Sequence, residues 1–238
     1  TTTGIAGSPD ITPSSYSFNA TSGFSIVTYT GNGGGGVTVP HGLGVIPNMV
    51  IVKKLNATSP WFVYHSSMDA TAPEDYHLVL NTTAARVNSV AGWYDTAPTS
   101  LYVTMGADNN DVNTYVMYAF ADVKGYSKFG TYEGNTNVDG PFIYTGFRPS
   151  TVMIKSIDGV EAWKIYDTKR SPFNVTENSL NINDTAAQVS STSIKIDILS
   201  NGFKVRTTST EINQASILYA AFAEFPLVSS NSKAGVAR

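Results

Sequence analysis

Sliding the sequence along itself by 102 positions lays its second half over its first. Gly44 then meets Gly146, Pro47 meets Pro149, and Trp61-Phe62-Val63-Tyr64 meets Trp163-Lys164-Ile165-Tyr166. Thr83-Ala84-Ala85 meets Thr185-Ala186-Ala187, and Ala119-Phe120-Ala121-Asp122 meets Ala221-Phe222-Ala223-Glu224. The pentad Thr28-Tyr29-Thr30-Gly31-Asn32 aligns with Thr131-Tyr132-Glu133-Gly134-Asn135 after a slip of one residue. A period of this length is too long for a solenoid repeat and matches a whole small domain. The chain therefore reads as an N-terminal arm (1–20), two related domains (21–123 and 124–226) and a polar tail (227–238). Positions apolar in both copies are expected in the core: Val50, Val52, Val63, Leu78, Leu80 and Phe120, and their counterparts Val152, Ile154, Ile165, Leu180, Ile182 and Phe222. Positions distinctive in one copy are where a specific function has freedom to arise.

Strand signals dominate each repeat. Phe24–Thr30, Met49–Lys53, Trp61–His65, Leu101–Met105 and Tyr115–Ala121 are short runs rich in β-branched and aromatic residues, separated by Gly, Asn, Asp, Pro and Ser. No window of a dozen residues sustains helical spacing. Asp158-Gly159 reads as a tight hairpin turn, and Ser14–Phe18 as an edge strand within the arm. The expected fold is all-β, with two tandem antiparallel, jelly-roll-like sandwiches. The hydrophobic fraction of 42% suits a folded chain, whereas the charged fraction of 14% leaves a surface built from Thr, Ser, Asn and Gly. A net charge of −3 and the absence of long basic runs argue against nucleic-acid binding. No apolar stretch approaches the roughly 20 residues of a membrane-spanning helix. The chain begins at Thr1, which suggests a processed product or part of something longer.

Candidate sites follow from the comparison of the halves. Trp93 and Tyr94 face Lys195 and Ile196 under the offset, so the shared fold does not demand aromatics there. Following Gly92 in a loop-like stretch, they read as an exposed recognition pair. The loop from His65 to Tyr76 belongs with them, and Arg148, Lys169 and Arg170 are lesser candidates in the second repeat. The recurring Trp61/Tyr64 and Trp163/Tyr166 pairs read as packing instead. The three histidines, His41, His65 and His77, show no metal-ligand spacing and read as hydrogen-bonded surface or loop residues. Asp108, Asn110 and Asp111 offer clustered oxygens that suggest calcium, without the glycine and distal glutamate of an EF-hand. No Gly-x-Ser-x-Gly elbow and no distinguished carboxylate pair appear, so neither a catalytic site nor a cofactor is expected.

Longer motifs carry a resemblance. Gly23-Phe24-Ser25-Ile26-Val27-Thr28-Tyr29-Thr30-Gly31, His41-Gly42-Leu43-Gly44-Val45-Ile46-Pro47, Gly125-Tyr126-Ser127-Lys128-Phe129-Gly130, the stretch from Asp139 to Pro149 and that from Asp197 to Lys204 resemble the C-terminal region of virion-surface and tail-fibre proteins of marine tailed bacteriophages. The resemblance implies a virion-surface location, other virion proteins and a host-surface glycan or receptor as partners, and a homo-oligomer with the trimer favoured. It brings no catalytic residues. The expected function is host adhesion by a non-enzymatic structural module. The alternatives are a capsid-decoration or tail-surface protein without a ligand and, third, a polysaccharide depolymerase.

Overall fold

A computed structural model describes residues 7–224. The first six residues of the arm and the tail at 227–238 lie outside the described residues. The chain divides into two compact units, one running to Leu80 and resuming at Arg86–Asp122, the other made of Asn81–Ala85 and the chain from Val123 onward.

The first unit contains β1 (Ser15–Asn19), β2 (Phe24–Thr30), β3 (Val37–Pro40), β4 (Met49–Lys54), β5 (Trp61–His65), β6 (Tyr76–Val79), β7 (Val87–Asn88), the one-turn helix α1 (Val90–Trp93), β8 (Tyr102–Met105) and β9 (Thr114–Phe120). Its large antiparallel sheet has the order β1-β2-β9-β4-β5-β6-β7, and β3 pairs with β8 in a second sheet. The second unit contains β10 (Ser127–Glu133), β11 (Phe142–Tyr144), β12 (Pro149–Ser156), β13 (Lys164–Asp167), β14 (Asn178–Asn181), β15 (Val189–Ser190), β16 (Ile196–Leu199), β17 (Gly202–Val205), the one-turn helix α2 (Thr210–Asn213) and β18 (Ser216–Ala223). Its sheets have the orders β10-β18-β12-β13-β14-β15 and β11-β17-β16. Without β1, the large sheet of the first unit matches that of the second strand for strand. The fold is an all-β, sandwich-type one.

Alternation along the strands builds each core. Val27 and Tyr29 of β2, Val50 and Val52 of β4 and Met117 and Ala119 of β9 meet Val39, Val103 and Met105 of the smaller sheet. In the second unit Val152, Ile154, Tyr166, Tyr219 and Ala221 meet Ile143, Ile196, Ile198, Phe203 and Val205. Val50, Val52, Val63, Leu78, Val152 and Ile154 are buried as expected. Leu80, Phe120, Ile165, Leu180, Ile182 and Phe222 are only partly buried. Strand alternation turns Phe120 and Phe222 away from the core, against Phe24 and against Tyr126 and Phe129. Asp158-Gly159 is not a tight hairpin turn either. Seven residues, 157–163, join β12 to β13, and the Ser156 side chain accepts the Gly159 N–H at 3.1 Å.

The repeated Thr-Tyr-x-Gly-Asn pentad now has a physical account. Tyr29 donates its hydroxyl to the Asn109 carbonyl at 2.6 Å, and Tyr132 donates to Ile212 O at 2.7 Å. Asn32 N–H donates to Asn110 Oδ1, and Asn135 N–H to Asn213 Oδ1, at 3.3 and 2.9 Å. Both receiving asparagines are fully buried. Gly31 and Gly134 pass so close to the partner loop that a Cβ would overlap its backbone. Each unit thus pins the end of one strand to the loop that leads into its last strand.

The described part of the arm is joined to the first unit. Beyond the β1–β2 pairing, Asp10 accepts from Thr38 N at 2.9 Å and from Thr38 Oγ1 at 2.7 Å, and Ile11 is buried in the core. Among the described residues no helix is long and apolar enough to cross a membrane.

Candidate functional site

Ser89 caps α1, its side chain accepting from Ala91 N, and Tyr94 ends the turn in the left-handed region at φ 56°. This geometry splits the expected pair. Trp93 is 1% exposed and packs edge-on against Tyr64, with its indole N–H buried and without a hydrogen-bond partner. It is a core residue, not an exposed recognition residue, because the helical turn rotates it inward. Tyr94 is 46% exposed, and its ring lies on Gly35 and Gly36, where an added Cβ would come within 2.8 and 2.6 Å of ring carbons. Two glycines therefore give Tyr94 a flat bed and leave its other face outward.

The histidines are buried rather than on the surface. His41 Nε2 lies 3.1 Å from Thr99 O, and its Nδ1 accepts Leu43 N–H at 3.2 Å. Burial lowers its pKa, opposed by the Thr99 contact. His65 Nδ1 accepts Ser67 N–H at 3.1 Å. His77 packs edge-on against Phe62, and burial lowers its pKa too. Tyr76 is half-buried and carries the Arg86 guanidinium over its ring at 4.4 Å. The loop from His65 to Tyr76 thus turns its histidine and its tyrosine toward the protein.

The Asp108, Asn110 and Asp111 oxygens do not converge into a cation cage. Asn110 donates its amide to Asn32 Oδ1 at 2.7 Å and to Gly34 O at 2.5 Å, so this side chain fastens the glycine-rich loop. Asp111 pairs with Lys54 and accepts from the Tyr115 hydroxyl, which holds its pKa down at about 2. Asp108 is exposed. Among the described residues no three His, Cys, Asp or Glu side chains gather as metal ligands do. Arg170 pairs with Asp167, and the well-exposed Lys169 pairs with Glu224 at 2.6 Å. Arg148 is exposed.

The second unit holds a surface that the sequence comparison passed over. In β11, Ile143 points into the core while Phe142 and Tyr144 point out, 46% and 66% exposed. Their counterparts under the repeat offset are Pro40 and Gly42, so both rings are peculiar to this copy. The test that singled out Trp93 would have found them. Phe142 stands opposite Lys204, and Asp197 opposite Lys204 on the far side, so the three form one row across the sheet. Tyr144 stands opposite Gly202. The Phe142 ring reaches over Gly202, where a Cβ would come within 3.1 Å of it, and a Cβ on Gly146 would lie 3.6 Å from the Tyr144 hydroxyl oxygen. Beside the rings, Asp139 accepts from Lys204 at 2.8 Å and from Arg206 at 3.4 Å, and Arg206 Nε reaches Asp197 at 3.4 Å. The Lys204 ammonium, with help from Arg206, lowers the Asp139 pKa. The surface combines two outward rings with a row of two cations and two carboxylates that neutralise one another.

A family model described as a domain of unknown function, DUF7483, matches residues 2–226, and the chain belongs to that family. No curated protein and no solved structure matches it.

Proposed function

Taking this member of the DUF7483 family as the starting point, we propose that it is a non-enzymatic virion-surface module of a tailed bacteriophage, placed in a distal tail fibre or spike and used for attachment to the host surface. The observation that carries this reading is the outward Phe142–Tyr144 pair, set on a β-strand at positions where the other repeat has proline and glycine. Large exposed aromatics cost solubility and carry binding energy at recognition surfaces. A strand backed by a packed core holds them with little loss of freedom on binding. In a homo-oligomer, the trimer favoured, weak sites are multiplied by copy number.

The test is competition. Purified protein, added in excess to host cells before phage, should reduce phage adsorption, and Phe142→Ala/Tyr144→Ala should lose that effect while unfolding at the parental temperature. Wild-type protein that neither adheres nor competes, yet is found on the capsid or tail lattice by immunogold labelling, would transfer the chain to the decoration reading.

A further inference from the structure

Resting on that reading, we infer that the outer face of β11–β17–β16 takes a neutral oligosaccharide, with Phe142 and Tyr144 as stacking platforms and Asp139, Asp197 and Arg206 as hydroxyl-binding groups. Three observations select this ligand class. The first is the form of the apolar part. The two rings are alternate residues on one strand, so they stand about 7 Å apart along it. Gly202 lies under the Phe142 ring and Gly146 beside the hydroxyl end of Tyr144, so a small residue neighbours each. Their outward faces carry the negative end of the ring quadrupole, which attracts the polarised C–H bonds on the flat face of a pyranose. The first unit uses the same device once, with Tyr94 lying on Gly35 and Gly36.

The second observation is the charge. Lys204 and Arg206 are matched by Asp139 and Asp197 through direct contacts, so the face presents no excess of either sign to an acidic or basic ligand. An anionic chain would have to displace these partners. A neutral one would not, because each carboxylate oxygen retains acceptor capacity and the guanidinium retains donors for sugar hydroxyls. The third is accessibility. The Asp139 side chain is 73% exposed and meets Lys204, the residue opposite Phe142, so its oxygens are open to a ligand lying on that face.

The experiment uses the intact chain and the host's own surface polysaccharide, cleaved by mild acid and split on an anion-exchange column into unretained neutral and retained anionic fragments. Each pool is tested as a competitor of protein adsorption to cells. The neutral pool should compete. Phe142→Ala/Tyr144→Ala should weaken binding to that pool at least tenfold. Tyr144→Phe, which keeps the ring, should stay within about threefold of wild type, and Asp139→Asn/Asp197→Asn should weaken binding without changing the thermal midpoint. Adsorption that needs both rings but yields only to the anionic pool, or to protease treatment of the cells, would overturn the inference and leave the attachment role standing. Neutral fragments that bind the double-alanine variant as tightly as wild type would also overturn it. Absence of any adsorption by wild type would remove the attachment role, and this inference with it.

Discussion

Trp93 and Tyr94 are neighbours in sequence and opposites in environment. Trp93→Ala should cost about 3–5 kcal/mol, the usual range for emptying a buried aromatic site. Tyr94→Ala should change stability by less than about 1 kcal/mol, because half its ring is already in water and both residues meet the same left-handed backbone at φ 56°. Urea denaturation of the two variants measures both, and equal midpoints would contradict the assignment of Trp93 to the core. Repeat comparison identified the pair as specific to one copy but not which ring is buried. Four helical residues are too few to leave a periodic trace, and each rotates the side chain by about 100°. The histidines show a similar limit. What buries His41 includes a contact to Thr99 O, a backbone atom far along the chain that no spacing rule reaches. Phe142 and Tyr144, in contrast, were legible as repeat-specific aromatics, and only their outward direction depends on the fold.

Among the elements, the tyrosine–asparagine fastening is the feature most tightly repeated. The spacing between partners is 80 residues for both tyrosine bonds and 78 for both asparagine bonds. The pentad was visible in sequence, but its partners were not, since Asn110 lies between Asn109 and Asp111 whereas Asn213 lies between Ile212 and Gln214, with no shared motif around them. Asn110→Ala and Asn213→Ala should each destabilise by about 1–3 kcal/mol, because each leaves buried loop groups without their bonds. Tyr29→Phe and Tyr132→Phe should cost about 1 kcal/mol each, having removed one neutral hydrogen bond. The comparison that matters is between counterparts: thermal midpoints that drop for one member of a pair and not for the other would show that the fastening has lost its role in one unit. The order of strands in the large sheets was the least legible part. Strand runs and turns can be read locally, whereas the placement of β9 between β2 and β4 depends on pairings far apart in the chain.

For the whole molecule, the buried titratable groups fix the shape of the pH–stability curve. His41 and His77 have folded pKa values below the unfolded value of about 6.5, so the unfolded chain binds more protons once the pH drops under it, and stability falls from there downward. Asp69 and Asp111, both held at about 2, extend the loss below pH 4. Lys155 acts at the other end. It is fully buried, donates to Gly159 O at 3.0 Å and to Thr83 O at 3.2 Å, and burial brings its pKa down to about 8, with Glu161 opposing. Between pH 8 and the unfolded value the unfolded chain again holds more protons, so stability rises with pH there, by roughly 3 kcal/mol over the window. Above about pH 10 the buried tyrosines Tyr29 and Tyr132, whose pKa values burial raises, reverse the trend. Denaturant midpoints taken from pH 4 to 11 should trace this course, and Lys155→Met should flatten the rise between 8 and 10. A wild-type curve already flat in that interval would show that Lys155 is not held as described.

The central position of β9 and β18 bears on how the protein is made. Among the described residues each is the last strand of its unit to leave the ribosome, yet each sits inside the sheet, β9 between β2 and β4 and β18 between β10 and β12. Until Thr114–Phe120 emerges, β2 and β4 lack the strand that pairs with both, and the backbone donors and acceptors it will engage have no partner in that strand. At about 5–20 residues per second that interval lasts several seconds. During it, the nascent chain presents two open sheet edges to every neighbouring copy on the same polysome. The second unit passes through the same interval when β18 is still to come. A chain cut short before either strand would carry a template for pairing in place of a finished domain.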